Sequence, residues 1–256
     1  MKCVQFIIRA FKRLRAPGGL ALTLLLCKRW IFEHIFIRFL PTRLYFRLIY
    51  LFNYWLDQDS RSGPGSSYGQ TRHLVEQIPH IIYRYSIRSI VDAPCGDFSW
   101  MREVLPTVDV DYIGIDVVPE VVARNLRLYS APRVNFTCAD ITQEPLPSSD
   151  LWICRDILFH LSNEHISRLF MRFLESQTKY ILVTSHLLDP VDDEALNSDI
   201  KSGGYRPLNL LLEPFGFPRQ CLYRFDDFVR PQMAREMRLY SRQQVQESMQ
   251  IFARRF

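Results

Sequence analysis

The sequence predicts an α/β fold, a parallel sheet with helices on both faces, preceded by a basic hydrophobic helical extension. Two observations predict it. After residue 68 short runs rich in β-branched residues alternate with longer helical ones, the rhythm of strands joined by crossover helices. Before that point the charge is lopsided: residues 1–56 hold ten Lys/Arg against one acid, a net +9, whereas residues 57–256 hold 22 against 26, a net −4. The 256 residues, 48% of them hydrophobic, suffice for a sizeable core.

In the extension, Val4, Ile7, Ile8, Phe11 and Leu14 recur at helical spacing opposite Lys2, Arg9, Lys12 and Arg13, an amphipathic helix with a basic face. Ala16-Pro-Gly-Gly19 breaks it. The next charge-free run, Ala16 to Cys27, has 12 residues, well short of the roughly 20 a membrane-spanning helix needs. No small-x-small signal cleavage site follows. Aromatic and aliphatic residues continue to Leu56, with Arg38, Arg43 and Arg47 among them. The pattern leaves three readings open: peripheral membrane contact through residues 1–56, a lid over an apolar substrate, or a helical cap on the main domain. Ser60-Arg-Ser-Gly-Pro-Gly-Ser-Ser67 reads as a flexible joint, which divides the chain into an extension over 1–59 and a domain over 60–256.

Within the domain, helix is expected from Thr71 to Tyr85, strand from Arg88 to Asp92, and helix from Ser99 to Leu105. Strand returns at Tyr112–Asp116, and Pro119 opens a helix through Tyr129. Val134–Cys138, Leu151–Cys154 and Tyr180–Thr184 are the next strands, with a helix capped by Ser162 between the last two. Gln220–Phe225 reads as the final strand, and Arg230–Phe256 as a basic, Gln-rich terminal helix.

Such sheets bind ligands at the carboxyl ends of their strands. The first strand runs into Asp92-Ala-Pro-Cys-Gly96-Asp97 and a helix start, where glycine permits close backbone approach and unpaired N–H groups face outward. The second ends in Asp116, 20 residues after Gly96, where a carboxylate can accept two hydrogen bonds from a ribose diol. The third ends in Ala139-Asp140. A nicotinamide enzyme would want Gly-x-Gly-x-x-Gly after the first strand, and only Gly96 is present.

From Gly63 to His186 these residues resemble the class I S-adenosylmethionine (SAM)-dependent methyltransferases, whose sheet is Rossmann-like. Asp92-Ala-Pro-Cys-Gly96 looks like the family's first motif, Asp116 its ribose acid, Asp140 its residue near adenine, and Leu151-Trp-Ile-Cys-Arg-Asp156 its fourth motif. The string also looks like a bacterial subgroup with Ser-Gly-x-Gly-Ser, here Ser62 to Ser66, and Arg-Asp-x-Leu-x-His-Leu, here Arg155 to Leu161. Pro94 and Phe98 stand where the broader family often has glycine. The resemblance implies SAM as cofactor, held by Ser66, Thr71, Asp92, Ala93, Pro94, Cys95, Gly96, Asp97, Trp100, Asp116, Asp140, Ile141 and Arg155, with Tyr68 beside Thr71.

Methylating a hydroxyl calls for a positioned base. Asp156 and His160, four apart, would share a face if that segment is helical, with His160 the base and Asp156 its orienter; alternatively His160 is a packed core histidine. Asn197–Asn209 suits an ordered loop over the acceptor, in which Arg206 either holds an anion or lies at the surface. The expected function is methyl transfer to a small-molecule or glycan hydroxyl; the alternative is a non-catalytic, membrane-associated binding or assembly subunit of the same fold. The net −4 of residues 57–256 predicts no nucleic-acid partner. Six scattered cysteines without Cys-x-x-Cys predict no metal and a reducing compartment, the cytoplasm, with the inner membrane face if the extension docks. Oligomeric state is not encoded in any of these features.

Overall fold

Ile90 and Val91 are adjacent, both buried, and face opposite ways, because successive side chains alternate across a strand. Val91 joins a core with Trp152, Ile181 and Val183; Ile90 joins another with Leu151, Ile153 and Leu182. A sheet buried on both faces follows, and helices supply both covers. The computed structural model describes residues 40–55, 57–189, 191, 193–230 and 232–253; the expected amphipathic helix over residues 2–15 and the stretch after it lie outside them.

The described helices are α1 (Thr42–Leu51), α2 (Tyr68–Arg84), α3 (Met101–Val104), α4 (Pro119–Tyr129), α5 (Asn163–Glu175) and α6 (Arg242–Ala253). The strands are β1 (Ser89–Asp92), β2 (Asp111–Asp116), β3 (Val134–Cys138), β4 (Leu151–Cys154), β5 (Tyr180–His186), β6 (Tyr223–Asp226) and β7 (Arg235–Ser241). They form one sheet in the order β3-β2-β1-β4-β5-β7-β6. The first five are parallel, with Val91 opposite Ile113 and Trp152. One core takes Ile166, Leu169 and Phe170 from α5 and Val245 and Phe252 from α6. The other takes Leu74, Ile78 and Ile81 from α2 and Met101 and Val104 from α3. Ser162 caps α5 as expected, its Oγ accepting from His165 N–H at 3.2 Å.

Three expectations are corrected. The sheet is mixed: β7 runs antiparallel to both β5 and β6. And the segment after Arg230 is not one solvated helix, since Arg235–Ser241 is a buried strand. Its charged residues are compensated inside: Arg238 donates to Glu236, to the Arg219 carbonyl and to Tyr240 Oη, so a strand with Arg, Glu and Arg in seven residues stays in the core. The Ser60–Ser67 segment is likewise no loose joint. Ser60 Oγ and Arg61 N–H donate to Asp97 Oδ2 at 2.9 and 3.0 Å, Asp97 N–H donates to Ser62 Oγ at 2.9 Å, and Ser99 Oγ donates to the Ser66 carbonyl at 3.0 Å. It is a strap fastened across the β1–α3 turn.

The described end of the extension packs on the α/β body. Tyr50 is buried against Val118 and Val121, Arg47 pairs with Glu120 at 2.5 Å, and Tyr45 lies under Gly203, where an added Cβ would come within 2.5 Å of its ring. Among the described residues no helix is long and apolar enough to cross a membrane.

The deepest charges give a stability prediction. Asp227 is 1% exposed and faces Arg155 and Arg235, both buried. Replacing it with Ala strands two guanidiniums, so urea denaturation should show a loss of about 3–5 kcal/mol. Asp109→Ala, which removes an exposed partner of Arg133, should leave the midpoint close to the parent protein's.

Candidate active site

Strand ends β1, β2, β3 and β4 converge on one cavity whose volume, open mouth included, is about 1160 Å³. Its floor is the β1–α3 turn. Gly96 and Phe98 both adopt positive φ, +53° and +61°, and a Cβ on Gly96 would lie 2.4 Å from Ser62 Oγ. Only glycine leaves room there for the strap. Phe98 tolerates the left-handed conformation because its ring is locked among Tyr112, Tyr129 and Phe136, with centroids 5.1–5.4 Å away.

Asp116 closes β2 and lines the cavity. Its Oδ2 accepts from Gly96 N–H at 3.1 Å and its Oδ1 from Val118 N–H at 3.0 Å, with Val117 N–H also turned toward the carboxylate, which keeps acceptor capacity for a ligand. Burial raises its pKa to about 6, against the pull of those N–H bonds. Asp92 is buried below it. Its Oδ2 accepts from Tyr112 Oη at 2.7 Å, its Oδ1 has no partner, and burial pushes it up to about 7. Asp140 lines the cavity from β3, but its carboxylate already accepts from Thr142 N–H, Thr142 Oγ1 and Gln143 Nε2.

At the end of β4 stands a four-charge group. Arg155 donates through Nε and Nη2 to Asp227 at 2.8 and 3.1 Å, and Nη2 also donates to the Gly65 carbonyl at 2.8 Å. Asp156 Oδ2 lies 3.4 Å from Arg155 Nη1 and 3.3 Å from Arg235 Nη2. Burial alone would raise the Asp156 carboxyl, but Arg155 and then Arg235 more than offset it and hold it below its ordinary value. A Cβ on Gly65 would come within 2.7 Å of Asp156 Oδ2, so this residue too must be small.

His160 lines the cavity on a short 3-10 turn, Leu158–His160. Its Nδ1 lies 2.7 Å from the Gly204 carbonyl, which can only accept, so Nδ1 carries the proton and Nε2 keeps its lone pair. Burial holds the imidazole below its ordinary pKa, the Gly204 bond and Asp156 opposing.

The structure thus gathers Ser66, Pro94, Cys95, Gly96, Trp100, Asp116, Asp140, Ile141, Arg155, Asp156 and His160 around one cavity. Four other expected residues do not line it. Thr71 is buried and its Oγ1 donates to the Ser67 carbonyl within α2; Asp97 fastens the strap; the Ala93 carbonyl accepts from Trp152 Nε1; and Asp92 lies beneath the floor. Tyr68 is largely exposed. The expected Asp156–His160 pairing is also corrected. Asp156 sits at φ +56° and the turn is not α-helical, so the two do not share a helix face. The Gly204 carbonyl orients His160 instead. Residues 197–209 stand behind His160 rather than over the cavity, with Gly203 N–H donating to the His160 carbonyl at 2.7 Å. Arg206 is neither at the surface nor free for an anion: it is 1% exposed, donates to the Leu158 carbonyl and Asn163 Oδ1, and burial lowers it to about 10. His186 is also buried, accepting from Leu208 N–H at 3.1 Å, and burial takes it to about 4.

Sequence reasoning offered a lid over an apolar substrate as one reading of the extension, but not which residues form the roof. Phe46, Ile49 and Tyr50 of α1, with Trp55 after it, line the cavity, and Trp55 lies 5.8 Å from the His160 ring. The aromatic run from Tyr45 to Trp55 was the available signal. Asp227 and Arg235 gave none. Among the described residues no group of three His, Cys, Asp or Glu side chains stands together as a metal site.

No protein-family model matches the chain, and no curated protein does. Solved structures do. N-methyltransferase NodS from Bradyrhizobium japonicum WM9, in complex with S-adenosyl-L-homocysteine, aligns at TM-score 0.53 and 11% identity over 75% of this chain and 97% of NodS. The SAM-dependent methyltransferase SibL in its apo form aligns at TM-score 0.50 and 13% identity over 68% of this chain and 55% of SibL. Human N-acetylserotonin methyltransferase, in complex with SAM, aligns at TM-score 0.45 and 18% identity over 78% of this chain and 55% of its own length. The chain therefore spans about half the length of the last two. The NodS and SibL alignments show that it has the Rossmann-like methyltransferase fold.

The raised Asp116 acid predicts a pH dependence. Its spare lone pairs accept from a diol in the ionised form, so affinity for a nucleoside ligand should fall as pH drops through about 6, by up to about tenfold per unit. Calorimetric titration with SAM between pH 7.5 and 5 measures this, and Asp116→Asn should flatten the profile.

Proposed function

We propose that the protein is a SAM-dependent methyltransferase acting on a hydroxyl of a small molecule. The observation that carries the reading is the arrangement at the first two strand ends. Gly96 and the strap make a close-fitting backbone cradle, and the Asp116 carboxylate beside it has acceptor capacity to spare. The residues fit SAM on a further ground: Ile141 and Val118 give apolar walls to the same cavity.

When bound, SAM supplies an electrophilic methyl group on a sulfonium. Asp116 would hold the ribose, the Pro94–Gly96 backbone and Ser66 the rest of the donor, and Ile141 the adenine face. His160 would accept the hydroxyl proton at Nε2, its tautomer fixed by Gly204. Asp156, ionised and 20% exposed, would favour the imidazolium through space. Charge disperses on transfer, and the apolar roof of α1 and Trp55 keeps water from competing.

Calorimetry on the full chain should give micromolar SAM binding that Asp116→Ala weakens at least about tenfold, since a buried acceptor pair is lost. No SAM binding by the well-folded parent protein would overturn the reading. His160→Ala should keep SAM affinity within about twofold while S-adenosylhomocysteine production falls by about 10²–10⁴, the range for a lost general base.

A further inference from the structure

Resting on the methyltransferase reading, we infer that the acceptor is a planar, apolar aromatic bearing a hydroxyl, seated against Trp55 with its oxygen at His160 Nε2. The cavity has two unlike ends. At one, Tyr50 is buried with Val118 and Val121 beside Asp116. At the other, Trp55 faces the His160 ring at 5.8 Å and 45°. Phe46 spans the two, packing on Val118's cluster and on the core that holds Ile157 and Leu161. With the first end assigned to the donor, the second is left for the acceptor.

That second end is apolar and its polar groups are committed. Phe46, Ile49, Trp55, Ile157 and Leu161 supply the walls. The Arg155 guanidinium is taken by Asp227, the Gly65 carbonyl and Asp156, and Asp156 Oδ2 is shared between two guanidiniums. His160 Nδ1 is bound to Gly204, and Nε2 makes no hydrogen bond among the described residues. A sugar buried here would bring hydroxyls on most of its carbons to walls that cannot bond them, each a cost of about 1–3 kcal/mol. A phenol brings one hydroxyl, for which Nε2 is the partner, and a flat face for the indole.

The chemistry agrees. Burial makes His160 a weak base, which suits a hydroxyl of pKa about 10, as in tyrosine, far better than an alkanol near that of water. As the phenolic oxygen forms its bond to the methyl carbon, the carbon–sulfur bond breaks and its electron pair stays on sulfur. The hydroxyl proton passes to His160 Nε2, and the imidazolium beside Asp156 then releases it to solvent.

The test uses the full chain with 2-naphthol, cyclohexanol and methyl glucoside as probes. SAM affinity is measured first by calorimetry. Probe binding is then followed by tryptophan fluorescence in the presence of S-adenosylhomocysteine, and methyl transfer by product formation from SAM. The inference expects 2-naphthol to bind at least about tenfold more tightly than the other two and to be the one methylated. Trp55→Ala should weaken 2-naphthol by about tenfold, the worth of one aromatic contact, with SAM affinity within about twofold; Trp55→Phe should restore most of the loss. If SAM binds but methyl glucoside or cyclohexanol is bound or methylated as well as 2-naphthol, or if Trp55→Ala binds 2-naphthol like the parent, the aromatic acceptor is wrong while the methyltransferase reading stands. If SAM does not bind, both fall.

Discussion

The buried guanidinium of Arg155 is the constraint on which the site depends. Its side chain is 4% exposed at the tip of β4, and a charge at that depth is tolerable only with compensation and full hydrogen bonding. Asp227 arrives from the loop between β6 and β7, the Gly65 carbonyl from the strap and Asp156 from the residue next along, while Arg235, at the first position of β7, balances the two carboxylates. Three stretches distant in sequence, around residues 65, 155 and 227–235, meet at this one group. The strap cannot lift without baring a guanidinium, and β7 cannot leave the sheet without unbalancing the same charges. This accounts for a glycine-rich stretch that is fastened rather than loose, and for a charged strand that stays inside.

Burial pushes every acid around the cavity upward, and the cations beside each decide where it ends. Asp116 has no cation among its main influences and Asp92 has only the pull of Arg155, so desolvation dominates and lifts them to about 6 and about 7. Asp156, between two guanidiniums, is held ionised. One end of the cavity therefore carries carboxylates that take up or release a proton near neutrality, and the other a fixed negative charge already balanced by arginine. A cationic donor, as proposed above, would suit the first end, where Asp116 has no cation beside it, and an uncharged acceptor the second, where another ion would upset a neutral group.

The first five strands, the Gly96 turn and Asp116 were legible in the sequence because they rest on local patterns: β-branched runs, a glycine where backbone must approach, an acid closing a strand. The later elements were not. Arg235, Glu236 and Arg238 read as solvent-facing by residue type, since nothing in the order of residues reveals that Asp227, Tyr240 and the Arg219 carbonyl neutralise or bond them in the fold. Arg206 misled for the same reason, its partners being Leu158 and Asn163, more than forty positions away. Thr71 looked available to a ligand, yet a hydroxyl facing the preceding turn of its own helix bonds there first.

The extension shows where pattern reading divides. Its aromatic and basic residues suit a membrane anchor and a helical cap equally, and the described part, residues 40–55, packs as a cap. The contacts that fix it are mainly apolar: Tyr45 beneath Gly203, Phe46 and Tyr50 against the α/β body. Arg47 reaches Glu120 and Arg43 reaches Cys138 Sγ, so the two arginines of α1 are engaged with the body. The remaining basic excess of the extension then lies in residues 1–39, eight Lys/Arg against one acid. Roof and basic segment are thus separate parts of one stretch of chain. The roof is held by burial, which salt does not screen, while any attraction exerted by the basic segment is electrostatic and salt-dependent. Ionic strength should therefore bear on whatever residues 1–39 contact and leave the closure of the cavity by α1 and Trp55 unchanged.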